Sequence, residues 1–285
     1  MHTDVETFFD PDTFTLTHLV VDVKSGMCVV IDPVLDFDSK SGRTSTSSAD
    51  NVISRIKDRE LSLEWILETH VHADHLTGAH YIKSELGGKV GIGGNVTMVQ
   101  ETFKDVFNLS DLTPDGRQFD KLFANTEHVL AGNLSGKVIY TPGHTPACVT
   151  YVFGDAAFIG DTFFAPDFGT ARCDFPGGDA AVLHQSLLSI LSLPDDTRLF
   201  LCHDYLPGGR ELLTHTTVKE QRQKNIHLTN AADADAFTIM RQERDATLEM
   251  PALLLPSVQV NIRAGTLPDE ESNGTRYLKL PLDLL

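Results

Sequence analysis

The stretch THVHADHLTG, residues 69–78, sets His70, His72, Asp74 and His75 within six positions. Imidazole and carboxylate are the ligand types that suit zinc, iron or manganese. In an extended segment alternate side chains share a face, so His70 and His72 converge on one point. The turn that follows aims Asp74 and His75 at an adjacent point. Three later fragments each present a ligand-type residue directly after a strand-like run: His144 in VIYTPGHTPA, Asp161 in AAFIGDT and His203 in LFLCHDY. A lone histidine at a strand end is most often an ordinary hydrogen-bonded residue. Three such positions downstream of an HxHxDH motif read instead as the remainder of a metal centre. The residue types leave the identity and number of the ions open.

Strands must deliver these side chains, and helices must cover the sheets. FTLTHLVVDV and MCVVIDPV, both rich in β-branched residues and separated by KSG, predict a hairpin ending at Asp32 and Pro33. DFDSKSGRTSTSSAD (36–50) is polar and aperiodic and predicts a loop. Its last residues, Ser48 to Asp50, are placed to cap a helix over ADNVISRIKDRE. LEWILET (63–69) reads as a short buried strand feeding the motif, TGAHYIKSELGG (77–88) as a helix closed by glycine, KVGIG as a strand and NVTMVQETFKDVF as a helix. Residues 108–126 read as a long irregular segment. Strands follow at EHVLAG, KVIYTPGH, CVTYVFGD and AAFIGDT, then a helix at 179–191 and a strand at 197–205. TTVKEQRQKNIHL and DADAFTIMRQERDATL read as helical, and Pro251, Pro256, Pro268 and Pro281 mark an irregular end. The pattern predicts a sandwich of two mixed sheets with helices on both outer faces.

The net charge of −17, from 23 Lys plus Arg against 40 Asp plus Glu, repels nucleic acid and anionic membranes. An anionic small substrate would need local arginines. No apolar run approaches the roughly 20 residues that span a bilayer. The acidic start MHTDVETFFDPDTF has neither the basic nor the apolar region of a secretory signal, so a cytoplasmic location is expected. Cys28, Cys148, Cys173 and Cys202 lack CxxC spacing and read as reduced core residues, although Cys173 sits in a Gly/Pro-rich loop. His2, His18, His80, His128, His184, His215 and His227 do not cluster and read as structural.

In order and spacing, THVHADH, TPGHT, GDT and CHDY resemble the ligand set of the metallo-β-lactamase superfamily over roughly residues 14–205. The resemblance implies an α+β fold, an αβ/βα sandwich with the metal site at one edge between two mixed β-sheets. One domain over residues 1–285 is expected, the sandwich at about 14–205 and a helical and irregular extension at about 206–285. Fold alone does not settle function. GDTFFAPDFGTARCDFPGGDA, LFLCHDYLPGGRE, TTVKEQRQKNIH and MPALLLPSVQVNIRAG are similar to the persulfide dioxygenases related to the ethylmalonic encephalopathy protein, and most of all to their bacterial branch. One departure is ARCDF in place of GRTDF, which puts Cys173 where a threonine stands in that family and leaves its role open.

This narrower resemblance implies one ferrous ion on His70, His144 and Asp161, a facial two-histidine, one-carboxylate set that leaves coordination positions open. Glutathione persulfide and dioxygen are the implied substrates, sulfite and glutathione the products, and sulfide detoxification the role. Fe²⁺ with one aspartate carries one positive charge, which a thiolate neutralises. His72, Asp74, His75 and His203 then orient ligands and supply hydrogen bonds. In the superfamily's dinuclear hydrolases these four complete two metal sites bridged at the position of Asp161, and every such residue is present here. Arg172 is a candidate for a bidentate contact with a glutathione carboxylate, the alternative being a pair with Asp174 or Asp167. Arg210 is assigned the same role, and Tyr205 a hydrogen bond to substrate or a packing role. The rival enzyme is a glyoxalase II-like thioester hydrolase, with zinc or a dinuclear site, acting on S-acylglutathione. A third class, a non-catalytic metal-binding or sulfur-carrier partner, is opposed by the full ligand set. A homodimer through the C-terminal helices is a further expectation from the resemblance.

Overall fold

The computed structural model describes residues 2–230 and 233–284. The first half of the chain runs β1 (Asp4–Asp10), β2 (Thr15–Val21), β3 (Met27–Ile31), β4 (Val34–Asp38), β5 (Arg43–Ser45), α1 (Ser47–Asp58), β6 (Ser62–Leu67), β7 (Leu76–Thr77), α2 (Ala79–Leu86), β8 (Lys89–Gly93), α3 (Val96–Val106) and β9 (Lys121–Phe123). The second half runs β10 (His128–Ala131), β11 (Leu134–Tyr140), β12 (Val149–Phe153), β13 (Ala156–Phe158), α4 (Ala180–Leu191), β14 (Arg198–Phe200), β15 (His215–Thr217), α5 (Val218–Lys224), α6 (Ile226–Thr229), α7 (Ala234–Asp245) and α8 (Leu254–Asn261). One six-stranded sheet has the order β1-β2-β3-β6-β8-β9 and the other β10-β11-β12-β13-β14-β15. Both are mixed: β3, β6, β8 and β9 run parallel, as do β13 and β14, while the remaining pairs are antiparallel.

Strand alternation assigns each apolar side chain to a layer. On β2 and β3, Leu19, Val21, Cys28 and Val30 face outward to α1, α2, α3 and α8, whereas Val20, Val29 and Ile31 face the other sheet. There they meet Val138, Tyr151, Phe158 and Phe200. The outer face of the second sheet, with Ala157 and Leu199, packs on Leu183, Leu187 and Ile190 of α4 and Phe237 of α7. The layers are therefore helix, sheet, sheet, helix, as expected. Strands this fully buried read as continuous apolar runs because both faces are covered. No described helix is long and apolar enough to cross a membrane.

Several local expectations are corrected. The acidic N-terminus forms the edge strand β1, paired with β2 from Asp4 opposite Val21 to Asp10 opposite Thr15. Residues 36–50 are not a plain loop: β4 and β5 form a hairpin, and α1 already begins at Ser47. Ser48 to Asp50 do not cap that helix; the Asp36 carboxylate does so from the hairpin, accepting Ser48 N–H at 3.1 Å and Ser48 Oγ–H at 2.6 Å. Within 108–126, β9 closes the sheet edge in parallel with β8. In the Pro-rich end, α8 forms with Pro256 in its first turn, where an N–H has no helical partner to lose. Its Leu254 and Val258 join the outer cluster of the first sheet.

Candidate metal centre

The chain leaves the ends of β3, β6, β11, β13 and β14 at one edge of the sandwich, and the ligand-type residues sit just beyond those ends. His70, His144 and Asp161 each offer a ligand atom, all within 4.8 Å of one another. His72, Asp74, His75 and His203 form a second such set, and Asp161 also lies within that reach of His203. Two glycines permit this convergence. Gly143 has φ 135° and passes so close to α4 that a Cβ would stand 2.4 Å from Leu183 Cα. Gly160 has φ 50°, and a Cβ there would stand 2.6 Å from Thr69 Oγ1.

Hydrogen bonds fix which nitrogen of each histidine faces the centre. Thr69 Oγ1 donates to Asp32 Oδ2 at 2.8 Å and so accepts from His70 Nδ1 at 3.0 Å. His144 Nδ1 donates to the carbonyl of Arg172 at 2.8 Å. His72 turns the other way: Nε2 points to Asp32 Oδ1 at 3.1 Å and lies 3.2 Å from Glu68 Oε2. His75 Nδ1 lies 3.3 Å from both Thr15 Oγ1 and Asp74 Oδ1, and His203 Nδ1 lies 3.4 Å from Thr15 Oγ1. What remains is a ring of buried ligand atoms without a hydrogen-bond partner: His70 Nε2, His72 Nδ1, His75 Nε2, His203 Nε2, Asp74 Oδ2 and Asp161 Oδ1. Buried polar atoms are nearly always paired. Here bare nitrogens face carboxylate oxygens, with His203 Nε2 3.0 Å from Asp74 Oδ2 and 3.4 Å from Asp161 Oδ1. A cation between them reconciles these lone pairs, so the residues fit a bound metal, and they do so in both sets.

The electrostatics agree with neutral ligands at His70 and His75 but not at His72. Burial, and after it the neighbouring His72, push His70 and His75 below the usual imidazole range. Burial acts against charge on His72 as well, yet Asp32 and Glu68 outweigh it and hold that ring well above its usual value. Asp32 is thus shared between Thr69, which orients His70, and His72. It takes φ 50°, a left-handed conformation that aspartate tolerates better than most side chains.

A cavity of about 380 Å³ opens onto the centre. His144, Asp161 and Asp74 line it, as do Arg172 and Tyr205; His70, His72, His75 and His203 are not among its lining residues. Phe164, Phe168 and Tyr205 form an aromatic wall, and the Tyr205 ring stacks on His203 at 5.7 Å. Arg172 is paired with Asp174 through two bonds of 2.6 Å and donates to the carbonyl of Glu249 at 2.7 Å. Arg210 is not among the residues that line the cavity. Its guanidinium is taken by Asp204 and Asp167, with bonds of 2.7 Å to each, and it braces the loop after β14. Cys173 is buried in the outer core of the second sheet, its N–H held by Asp245 Oδ2 at 2.8 Å, and it is not among the cavity residues. All four cysteines are buried and reduced. His18 and His227 are structural: His18 packs between Phe158 and Phe200, and His227 accepts from Thr170 N.

Sequence reading missed Arg241 and Arg244 of α7 and Phe14 of the β1–β2 turn, which also line the cavity. The two arginines stand three apart in MRQERD and share a helix face, a signal that was available. Phe14, held at φ 59°, carried none.

A sequence model described as the metallo-beta-lactamase superfamily matches residues 11–203. A probable metallo-hydrolase of Burkholderia pseudomallei is 51% identical over 99% of both chains. A protein of Dictyostelium discoideum named glyoxylase B2 is 49% identical over 99% of this chain and 97% of its own. A beta-lactamase hydrolase-like protein of Agrobacterium fabrum is 50% identical, and the chain spans 65% of that longer relative. The mitochondrial persulfide dioxygenase of Mus musculus is 30% identical over 90% of this chain and 87% of its own. Among solved structures, the ETHE1 protein of Myxococcus xanthus superposes with a TM-score of 0.75 at 26% identity, over 93% of this chain and all of that one. The ligand set, the layered sandwich and these matches together establish that the chain belongs to the metallo-beta-lactamase superfamily.

Proposed function

We propose that this protein is an iron-dependent persulfide dioxygenase acting on glutathione persulfide. The observation that carries the proposal is the cavity's position. It reaches His144 and Asp161, two of the three members of the two-histidine, one-carboxylate set, and its wall holds Arg172, Arg241 and Arg244 in a chain of net charge −17. His70, His144 and Asp161 would hold the iron, which when bound would supply binding of the persulfide sulfur and activation of dioxygen. Overall, R–S–SH, O₂ and H₂O yield R–SH, sulfite and two protons; the outer sulfur loses four electrons, dioxygen gains them, and water supplies the third oxygen. The chain's own part is binding and positioning. Arg241 is held by Asp245 at 2.7 Å and by the Thr170 carbonyl at 3.1 Å, while Arg244 is exposed beside it. A multiply anionic thiol carrier meets these guanidiniums, and the wall of Phe164, Phe168 and Tyr205 gives its apolar part a surface to pack on. The fold match to the Myxococcus protein and the 30% identity to a persulfide dioxygenase support the reading.

A second reading, a glyoxalase II-like thioester hydrolase, is favoured by the completeness of the second set, whose ligand atoms are as bare as those of the first. The likeness to glyoxylase B2 points the same way. Metal analysis of protein purified without added metal, paired with oxygen consumption on glutathione persulfide, separates the two. About one iron per chain with oxygen uptake is the expected result. Two metals, no oxygen uptake and hydrolysis of S-lactoylglutathione would overturn it.

A further inference from the structure

Thr15 stands at the first position of β2, fully buried, and its backbone bridges to His203. Leu16 N–H donates to the Cys202 carbonyl at 2.7 Å and Asp204 N–H to the Phe14 carbonyl at 3.1 Å, so the start of β2 is pinned against the strand end that carries His203. Its hydroxyl lies within hydrogen-bond distance of Nδ1 of both His75 and His203, two residues from different elements. On its other side it meets Thr13 Oγ1 at 2.7 Å, and Thr13 Oγ1 donates to Asp10 Oδ2 at 2.5 Å. Donor accounting gives this chain one direction. A hydroxyl has one hydrogen and two lone pairs. Asp10 is a carboxylate acceptor, so the Thr13 hydrogen is spent on it and Thr13 must accept from Thr15. Thr15 then has two lone pairs left, so each facing Nδ1 must carry its hydrogen to bond it; His75 Nδ1 has a second acceptor in Asp74 Oδ1, also at 3.3 Å, whereas His203 Nδ1 meets Thr15.

We propose that Asp10, Thr13 and Thr15 form a hydrogen-bond relay that holds both His75 and His203 in the Nδ1–H tautomer and so presents both Nε2 atoms, together with Asp74, to one cation. Thr15 is a positioning residue: it touches neither metal nor substrate, and it sets two ligands with one hydroxyl. The relay has counterparts at the other histidines, where Thr69 and Asp32 serve His70 and the Arg172 carbonyl serves His144. It differs from them in coupling two ligands to a turn at the protein surface. The inference concerns the centre and stands whether its chemistry is oxidative or hydrolytic. A failure to consume oxygen would refute the reaction proposed above and leave the affinities below unchanged.

The test is cobalt titration of the full chain, read by visible absorption and metal analysis. The unsubstituted chain is expected to take up a second equivalent at saturating cobalt. Thr15→Val keeps the side-chain shape and removes the hydroxyl; it should weaken that second equivalent by about 10- to 100-fold, the usual cost of losing a ligand's outer partner, and leave the first unchanged. Thr15→Ser should restore it, with a cobalt spectrum like the unsubstituted chain's. Should Thr15→Val fail to fold, Thr13→Val at its less buried position breaks the next link and must weaken the second equivalent in the same direction. The relay is overturned by a single equivalent at saturation in the unsubstituted chain. It is equally overturned by a folded Thr15→Val or Thr13→Val chain binding both equivalents normally, or by Thr15→Ser failing as Thr15→Val does.

Discussion

Asn261, the last residue of α8, is buried and spends every polar atom of its side chain on the loop that carries Asp74 and His75. Its Nδ2 donates to the carbonyls of His72 and His75, both at 2.8 Å, and its Oδ1 accepts Thr77 N–H at 2.9 Å. Replacing it by alanine leaves two buried carbonyls and one buried N–H unpaired. At about 1–3 kcal/mol for each orphaned group, and with partial relaxation of the loop, a loss of about 3–6 kcal/mol is expected. That is a large share of the roughly 5–15 kcal/mol that separates a folded domain from its unfolded chain. Asn261→Asp should be at least as damaging, because it keeps the acceptor for Thr77 and turns a carboxylate oxygen toward two carbonyls. The assay is denaturant unfolding of chelator-treated protein, so that metal binding does not contribute to the measured stability. Metal retention after gel filtration is measured in parallel. If Asn261→Ala unfolds within about 1 kcal/mol of the unsubstituted chain, below the cost of even one orphaned buried group, and keeps its metal, the loop does not depend on α8 and the reasoning fails.

Two further predictions rest on other parts of the molecule. Arg244→Ala at the cavity wall should raise KM for an anionic thiol carrier by about tenfold, the effect of roughly 1.4 kcal/mol, with kcat and unfolding unchanged; unaltered steady-state kinetics would remove Arg244 from substrate binding. His18 is buried, and desolvation lowers it from 6.5 to about 4. The unfolded chain therefore binds a proton that the folded one refuses, so this histidine's contribution falls as pH drops from 6.5 toward 4, by about 3 kcal/mol in all. A plot of unfolding free energy against pH should lose that portion of its slope in His18→Gln, and an unchanged slope would show that His18 binds its proton equally in the folded and unfolded chain.

The ligand residues were legible because each follows a strand and the strands are legible from their runs of β-branched residues; alternation then carries the chemistry to one edge without further information. The segment MPALLLPSVQVNIRAG carries the narrower family resemblance into a part of the chain whose fold its composition misrepresents. Four prolines suggested irregular chain there, yet Pro256 falls in the first helical turn, where it removes no bond, and α8 is apolar on several sides because it is buried on several. β1 was missed for the opposite reason: DVETFFD is mostly half-buried at a sheet edge and shows no clean alternation.

What local pattern cannot express is orientation. Nothing near position 75 in the chain indicates that His75 shares its Nδ1 partner with His203, or that a loop at 72–77 is tied to residue 261. These are contacts across 60 to 189 residues, made by ordinary threonine and asparagine side chains whose types are common everywhere. They decide which lone pairs face the centre, and that in turn bears on how many ions it holds. The residue set alone was equally compatible with one metal or two. Of the six bare ligand atoms, two belong to His70 and Asp161 and four to His72, Asp74, His75 and His203, so both sets present unpaired atoms to the centre. The chain therefore keeps a second set of ligand-type residues intact beside His70, His144 and Asp161, with the Thr15 hydroxyl within reach of two of its members.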